Sequence, residues 1–507
     1  MRKARLFGLA LLPLAILALS NVAACSSSNG GASADAGADT DDDADTRPPT
    51  PPDWDRPITR PSDDDAKNGR ASCKFKRGAM PAETLGASTR IDKDIPIETI
   101  VVLMMENHSF DNYFGHLNKY ANRTDIESAP DTTTNPDKVG ANPGMMHAYQ
   151  HAPHLCTLDT NHEWDGAHLE YDDGKNDGFF QANDGWSETG LKGGADPMLK
   201  SGERALYWYD ERDIPFYYKL ASTFAIADHY HCSILGPTWP NRMYLSAATS
   251  FGKTSNVWPD LTGYEFPAGA KGDAVIFDEL ERRHVSWGIY SDGPPGVGVV
   301  VGTTGGTRWS HRNDSLATFY DLAAKGQLPQ VVFLDPTLGS DHPSTNDEHP
   351  PGQIQTGQKF TSDIVHALFK SPQWSKMALF ITWDEHGGYY DHVPPPAACK
   401  PDDLAPQLDM GSTAQGGFDR LGFRVPLIVV SPYAKKGYVG HATYDHTSIT
   451  RFIETKFKVP ALTARDANAD PLTDLFDFGN AAFAAPPDIP VPTIDQTELN
   501  YCETNFL

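Results

Sequence analysis

Ile97-Glu98-Thr99-Ile100-Val101-Val102-Leu103-Met104-Met105 is a short, almost unbroken apolar run, and it closes on Glu106-Asn107. A run this short and this apolar reads as a strand buried on both faces, as in a parallel sheet. Far along the chain the pattern returns, where Ala378-Leu379-Phe380-Ile381-Thr382-Trp383 closes on Asp384-Glu385. In open α/β sheets, chemistry collects at the carboxyl ends of the strands. Two pairs of hard oxygen donors there suit a divalent cation, and a bound cation suits phosphate or sulfate ester chemistry.

Working outward, Val331–Leu334 and Val425–Val430 read as further buried strands. Residues 361–370 carry Ile364, Val365, Leu368 and Phe369 at helical spacing. His446–Phe457 places Ile449, Phe452, Ile453 and Phe457 on one helical face. Residues 213–230 have helical or strand character, whereas residues 118–200, rich in Asn, Asp, Gly and His, read as long loops with short helices. Strands alternating with helices predict an α/β fold. The expected form is a doubly wound, mostly parallel sheet with long loops over the strand C-terminal ends.

The 507 residues suit one large α/β domain or two smaller ones. A formal net charge of -25 argues against nucleic-acid binding through a basic face. Residues 1–25 read as a lipoprotein-type signal. Arg2, Lys3 and Arg5 precede the apolar stretch Leu6–Leu19, and Val22-Ala23-Ala24-Cys25 follows it. An ordinary signal peptide is the alternative; either implies export. Residues 26–72 are expected to be a disordered acidic and Pro-rich tether, since 26–66 holds eleven Asp against three Arg and few apolar residues. A single domain is then expected over 73–507. In an exported protein Cys73, Cys156, Cys232, Cys399 and Cys502 allow up to two disulfides, of unreadable connectivity, and one thiol over.

Each motif has two readings. Glu106 and Asn107 are metal ligands or caps of the next helix. In Gly236-Pro237-Thr238-Trp239-Pro240-Asn241-Arg242, Thr238 is a helix cap or a hydroxyl activated at a helix N-terminus. Arg242 binds a phosphate oxygen or forms a structural ion pair. Asp384–Pro396 packs Asp, Glu and His beside Gly387-Gly388, a density that favours a metal or catalytic role. Trp164, Trp186 and Trp239 could wall a choline group or simply pack loops.

Together these segments resemble the bacterial phosphoesterase family of phospholipases C and acid phosphatases, within the alkaline-phosphatase-like superfamily. The matching stretches are Glu106–Gly115, Asp177-Gly178-Phe179, Gly236–Arg242, Leu328–Val331, Glu348–Pro351, Asp384–Pro396 and Tyr444–Ser448. The resemblance implies an alkaline-phosphatase-like fold and one divalent metal ion of unspecified identity, held by Glu106, Asn107, Thr238, Asp384 and Glu385. It implies Thr238 as the nucleophile. It implies His349, His162 and His311 as groups that contact phosphate or move protons, with His168 a competing match for His162. Asp445 and His446 match a motif near the site. His108 stands where many members carry Arg. Thr238 is typical of the phospholipase C branch, where acid phosphatases carry Ser. The C-terminal β domains of the larger phospholipases are not expected.

The expected activity is metal-dependent hydrolysis of phosphoric esters of the phospholipase C type, through a phosphothreonine intermediate, with Arg242 as a substrate contact. An acid phosphatase is the alternative within enzymes. A catalytically inactive surface-binding lipoprotein is the alternative of another class. The expected partners are a phosphate ester, phospholipid among the candidates, and a membrane reached through lipidated Cys25. The expected location is the periplasmic or outer-membrane face, or otherwise secretion.

Overall fold

The computed structural model describes residues 49–186, 197–256, 275–293, 296, 312–340 and 342–506. Its main elements, in chain order, are α1 (Asp63–Ala71), β1 (Thr99–Met105), α2 (Phe110–Phe114), α3 (Trp164–Tyr171), α4 (Pro215–Thr223), β2 (Ala225–Ala227) and α5 (Thr238–Ala247). There follow β3 (Trp287–Tyr290), β4 (Asn313–Asp314), α6 (Leu316–Lys325), β5 (Val331–Leu334), α7 (Ile354–Lys370) and β6 (Met377–Trp383). The last are β7 (Leu427–Val430), β8 (Val439–Gly440), α8 (His446–Phe457) and α9 (Gln496–Phe506).

The strands form one eight-stranded sheet in the order β8-β2-β7-β6-β1-β5-β3-β4. All pairs are parallel except those made by β7, which runs antiparallel to β6 and β2. Every residue of the central strands β1 and β6 is buried, which explains their unbroken apolar runs. Side chains alternate along a strand, so Phe380 and Trp383 point to opposite faces of β6. Phe380 meets Phe452 of α8, and Trp383 meets Tyr217 of α4. Helices therefore cover both faces, as a doubly wound sheet requires.

The ordered chain begins earlier than Cys73, which corrects the tether boundary. Trp54 is buried in the main core with Ile58 packed against it, and Asp55 pairs with Arg283 and Lys458. Ser62 caps α1 by accepting from Asp65 N–H at 3.1 Å. A composition average misses this because one Trp and one N-cap anchor an otherwise polar segment. Cys73 bonds Cys399, Cys156 bonds Cys502, and Cys232 is a buried free thiol. Among the described residues no helix is long and apolar enough to cross a membrane.

Candidate active site

Register brings three acids together. Met105 pairs with Trp383 and Leu103 with Leu334. Glu106, Asp384 and Asp335 therefore leave three neighbouring strands at their carboxyl ends. Asp384 Oδ1 accepts from the backbone N–H of Asn107 at 3.3 Å and of Glu385 at 2.8 Å. This ties the two sequence motifs directly to each other. Asp335, unsuspected from the sequence, carries the same signal as the others, an acid that closes an apolar strand.

Arg242 reaches into this cluster from α5. Its guanidinium donates to Asp384 Oδ2 at 2.9 Å, Asp335 Oδ1 at 3.0 Å, Glu106 Oε1 at 3.2 Å and the Met105 carbonyl at 3.1 Å. The side chain has no exposed surface. Burial opposes its charge, but Asp384, Glu106 and Asp335 outweigh that and raise its pKa. The expected substrate contact is corrected here, because every guanidinium nitrogen is already donating to protein oxygens. Arg242 is the structural ion pair of the two readings.

The same helix places Thr238. Thr238 is buried and lies one turn before Arg242, on the same helical face. Pro237, rather than Thr238, holds the cap position. Asn241 shapes the approach: its Oδ1 accepts from Ser233 and Ile234 N–H, and its Nδ2 donates to the Gly236 carbonyl. The cap reading also fails for the first motif, since Ser109 caps α2 by accepting from Asn112 N–H at 3.1 Å. Asn107 adopts φ +60, in the left-handed region that Asn tolerates. Gly387, φ +66, leaves room for the Asn107 backbone, which any Cβ there would overlap.

The donor set fits a hard divalent cation. Neither side-chain polar atom of Asn107, nor Oε1 of Glu385, finds a hydrogen-bond partner among the described residues, although all are buried. Such orphaned buried atoms are rare and ask for a ligand. Burial and the Asp384 charge push Glu106 up to about 8 in the metal-free chain. Burial also raises Asp384. Burial would raise Glu385 too, but His162 and His386 outweigh it and hold its carboxyl below the ordinary range.

His162 and His349 come together, with ring centroids 5.7 Å apart. Asp159, missed in the sequence reading, lies between them, with Oδ1 3.7 Å from His162 Nδ1 and 3.9 Å from His349 Nε2. Burial opposes charge on His349, yet Asp159 and Glu106 push it up to about 9. Burial opposes charge on His162 as well, yet Glu385 and Asp159 lift it well above its ordinary value. In the metal-free chain these neighbouring acids favour the cationic form of both rings. His168 stands apart from this pair, on α3 against Trp164, with Nδ1 2.7 Å from the Trp164 carbonyl. His311 lies outside the described residues. His446 buttresses the site: its Nε2 is 2.6 Å from the Asp384 carbonyl. His386 meets Glu170 at 2.7 Å. Trp164 packs with Ile234, Tyr244 and Phe418.

The model of the phosphoesterase family matches residues 97–460, a span that holds every element of this cluster. The chain belongs to the phosphoesterase family. It is a phosphoric ester hydrolase. Phospholipase C B of Mycobacterium tuberculosis is 32% identical over 448 residues, covering 80% of this chain and 81% of its own. Non-specific phospholipase C1 of Arabidopsis thaliana is 32% identical over 418 residues, covering 78% of this chain and 72% of its own. A solved protein of the alkaline phosphatase superfamily from Vibrio parahaemolyticus aligns with 71% of this chain at 10% identity, with a TM-score of 0.31.

Proposed function

We propose that this phosphoesterase is a metal-dependent phosphodiesterase of the phospholipase C type, working through a phosphothreonine intermediate on Thr238. The observation that carries the reading is the convergence of Glu106-Asn107 and Asp384-Glu385 at adjacent strand ends, with buried Asn107 and Glu385 oxygens lacking partners. The names of the relatives, phospholipases C in a mycobacterium and a plant, support the diester preference.

Glu106, Asn107, Thr238, Asp384 and Glu385 would hold one divalent cation. When bound, it supplies a Lewis acid that favours the Thr238 alkoxide and neutralises phosphoryl charge. The Thr238 oxygen then bonds to phosphorus in line as the bond from phosphorus to the leaving alkoxide breaks. His349, with His162 beside it, binds the phosphoryl oxygens and gives the alkoxide its proton. Water hydrolyses the phosphothreonine, and the same imidazole takes the water's proton. His311 remains a candidate for this work through the family resemblance. Arg242 acts behind the site, fixing the carboxylates that face the cation.

The test is hydrolysis of p-nitrophenyl phosphorylcholine and p-nitrophenyl phosphate in parallel, with and without chelator, by the full chain and by Thr238→Ala. Faster Thr238-dependent, chelator-sensitive release from the diester is the expected result. Faster release from the monoester would make the protein a phosphomonoesterase. Residues 1–25 support a second proposal, that the chain is exported and held at a membrane by acylated Cys25. A Cys25→Ser chain should lose metabolic labelling by palmitate and appear in the soluble fraction; unchanged labelling would refute it.

A further inference from the structure

Glu348 takes no part in the chemistry above, yet its carboxylate accepts three side-chain hydrogen bonds beside it. It is buried and immediately precedes His349. Its Oε1 accepts from Tyr217 Oη at 2.6 Å, and its Oε2 from Tyr113 Oη at 2.9 Å and Trp383 Nε1 at 2.8 Å. These donors come from three elements. Tyr113 is on α2, just after Glu106-Asn107. Tyr217 is on α4. Trp383 ends β6, just before Asp384-Glu385. One carboxylate is therefore tied to both segments that carry the proposed metal ligands.

The backbone of Glu348 is fixed as firmly as its side chain. Its carbonyl lies 3.2 Å from His108 Nε2. It adopts φ +76, in the left-handed region. That conformation is unfavourable for a residue with a Cβ and persists only where surroundings over-determine it. Gly357 on α7 leaves the space the side chain fills; a Cβ there would run into it.

We infer that Glu348 is a positioning residue: held by Tyr113, Tyr217 and Trp383, it turns the chain so that His349 faces the leaving group. This rests on the reading of His349 as the proton donor. A carboxylate with no exposed surface acts through its neighbour, so its removal should misplace the acid and spare the nucleophile.

The experiment compares two phosphocholine diesters, one releasing p-nitrophenol and one a primary alcohol. The phenolate leaves without a proton; the alkoxide needs one. Glu348→Ala is expected to lower kcat/KM, which reports only as far as departure of the leaving group, about 100-fold for the alkyl ester, the weight of a general acid, and less than about 10-fold for the aryl ester. Glu348→Gln should keep most activity. Its carbonyl can accept from Tyr113 and Trp383, and its amide can donate to Tyr217, whose hydroxyl turns to Thr361 Oγ1, 2.9 Å away. His349→Ala is assayed alongside. If His349→Ala shows no preference for the aryl ester, the His349 reading is wrong and this inference falls with it. If His349→Ala shows that preference and Glu348→Ala slows both esters equally or neither, the inference alone is wrong. Should Glu348→Ala fail to fold, a Tyr113→Phe/Tyr217→Phe double variant replaces it. It must show the same aryl preference, and its absence overturns the inference.

Discussion

Arg242 Nε donates to Asp384 Oδ2 across 2.9 Å, with no exposed surface on either side chain. The same guanidinium holds Asp335 and Glu106, so one cation balances three strand-end carboxylates. Removing one partner of a buried ion pair strands the rest, at a cost of about 3–5 kcal/mol. Arg242→Leu should lose stability of that order in denaturant unfolding. Arg242→Lys should lose less than Leu but remain well below wild type, because a point charge cannot reproduce the fork. A wild-type midpoint for Arg242→Leu would show that the cluster does not need the charge.

Metal affinity should depend on pH. Glu106, pushed up to about 8 by burial and Asp384, carries a proton at neutral pH in the metal-free chain. A cation must displace that proton, so affinity should rise from pH 6 to about 8 and then level off. Calorimetric titration with manganese in two buffers of different ionisation heat would report the released proton. Equal heats in both buffers would contradict the assignment.

His392 offers a separate pH signature. Its Nδ1 meets Asp111, which also pairs with Arg424. Burial opposes charge on His392, but Asp111 lifts its pKa from 6.5 to about 9. A raised folded-state pKa stabilises fully below the unfolded value and is lost as pH rises through the folded one. The window is thus about pH 6.5 to 9, and the contribution is on the order of 3 kcal/mol. The stability gap between wild type and His392→Gln should be widest at pH 6 and narrow by pH 10. A gap that widens with pH would reverse the sign and refute the pairing.

The Cys73–Cys399 bridge joins residues 326 apart in sequence. Replacing both by Ser should cost about 2–5 kcal/mol by freeing the unfolded chain. Turnover per folded molecule should stay close to wild type, because neither Cys belongs to the strand-end cluster. A large fall in kcat at unchanged stability would place the bridge in the catalytic machinery.

What the sequence discloses follows from what is local. β1, β5 and β6 are legible because burial on both faces leaves a continuous apolar run, and α8 is legible because its large apolar residues share one face, although His446–Thr455 are all buried. The acids that end those strands are legible for the same reason, and Asp335 could have been found by extending that rule. Arg242 is not legible. Its three partners lie 93 to 142 residues away, so whether it meets substrate or carboxylate is decided by tertiary packing. Asp159 is hidden because its meaning depends on His349, nearly two hundred positions on. Trp54 is hidden because a single anchoring aromatic vanishes in a Pro- and Asp-rich average.

The pairing of β1 with β6 also governs when the protein can act at all. Glu106-Asn107 and Asp384-Glu385 are 277 residues apart and become neighbours only when those two strands lie side by side. A fragment that stops short of β6 carries Glu106, Asn107 and Thr238 but neither Asp384 nor Glu385. On the proposed site, a nascent chain, or one cleaved and separated between the two strands, should therefore be inert. Catalytic output is thus a direct gauge of whether the centre of the sheet has assembled.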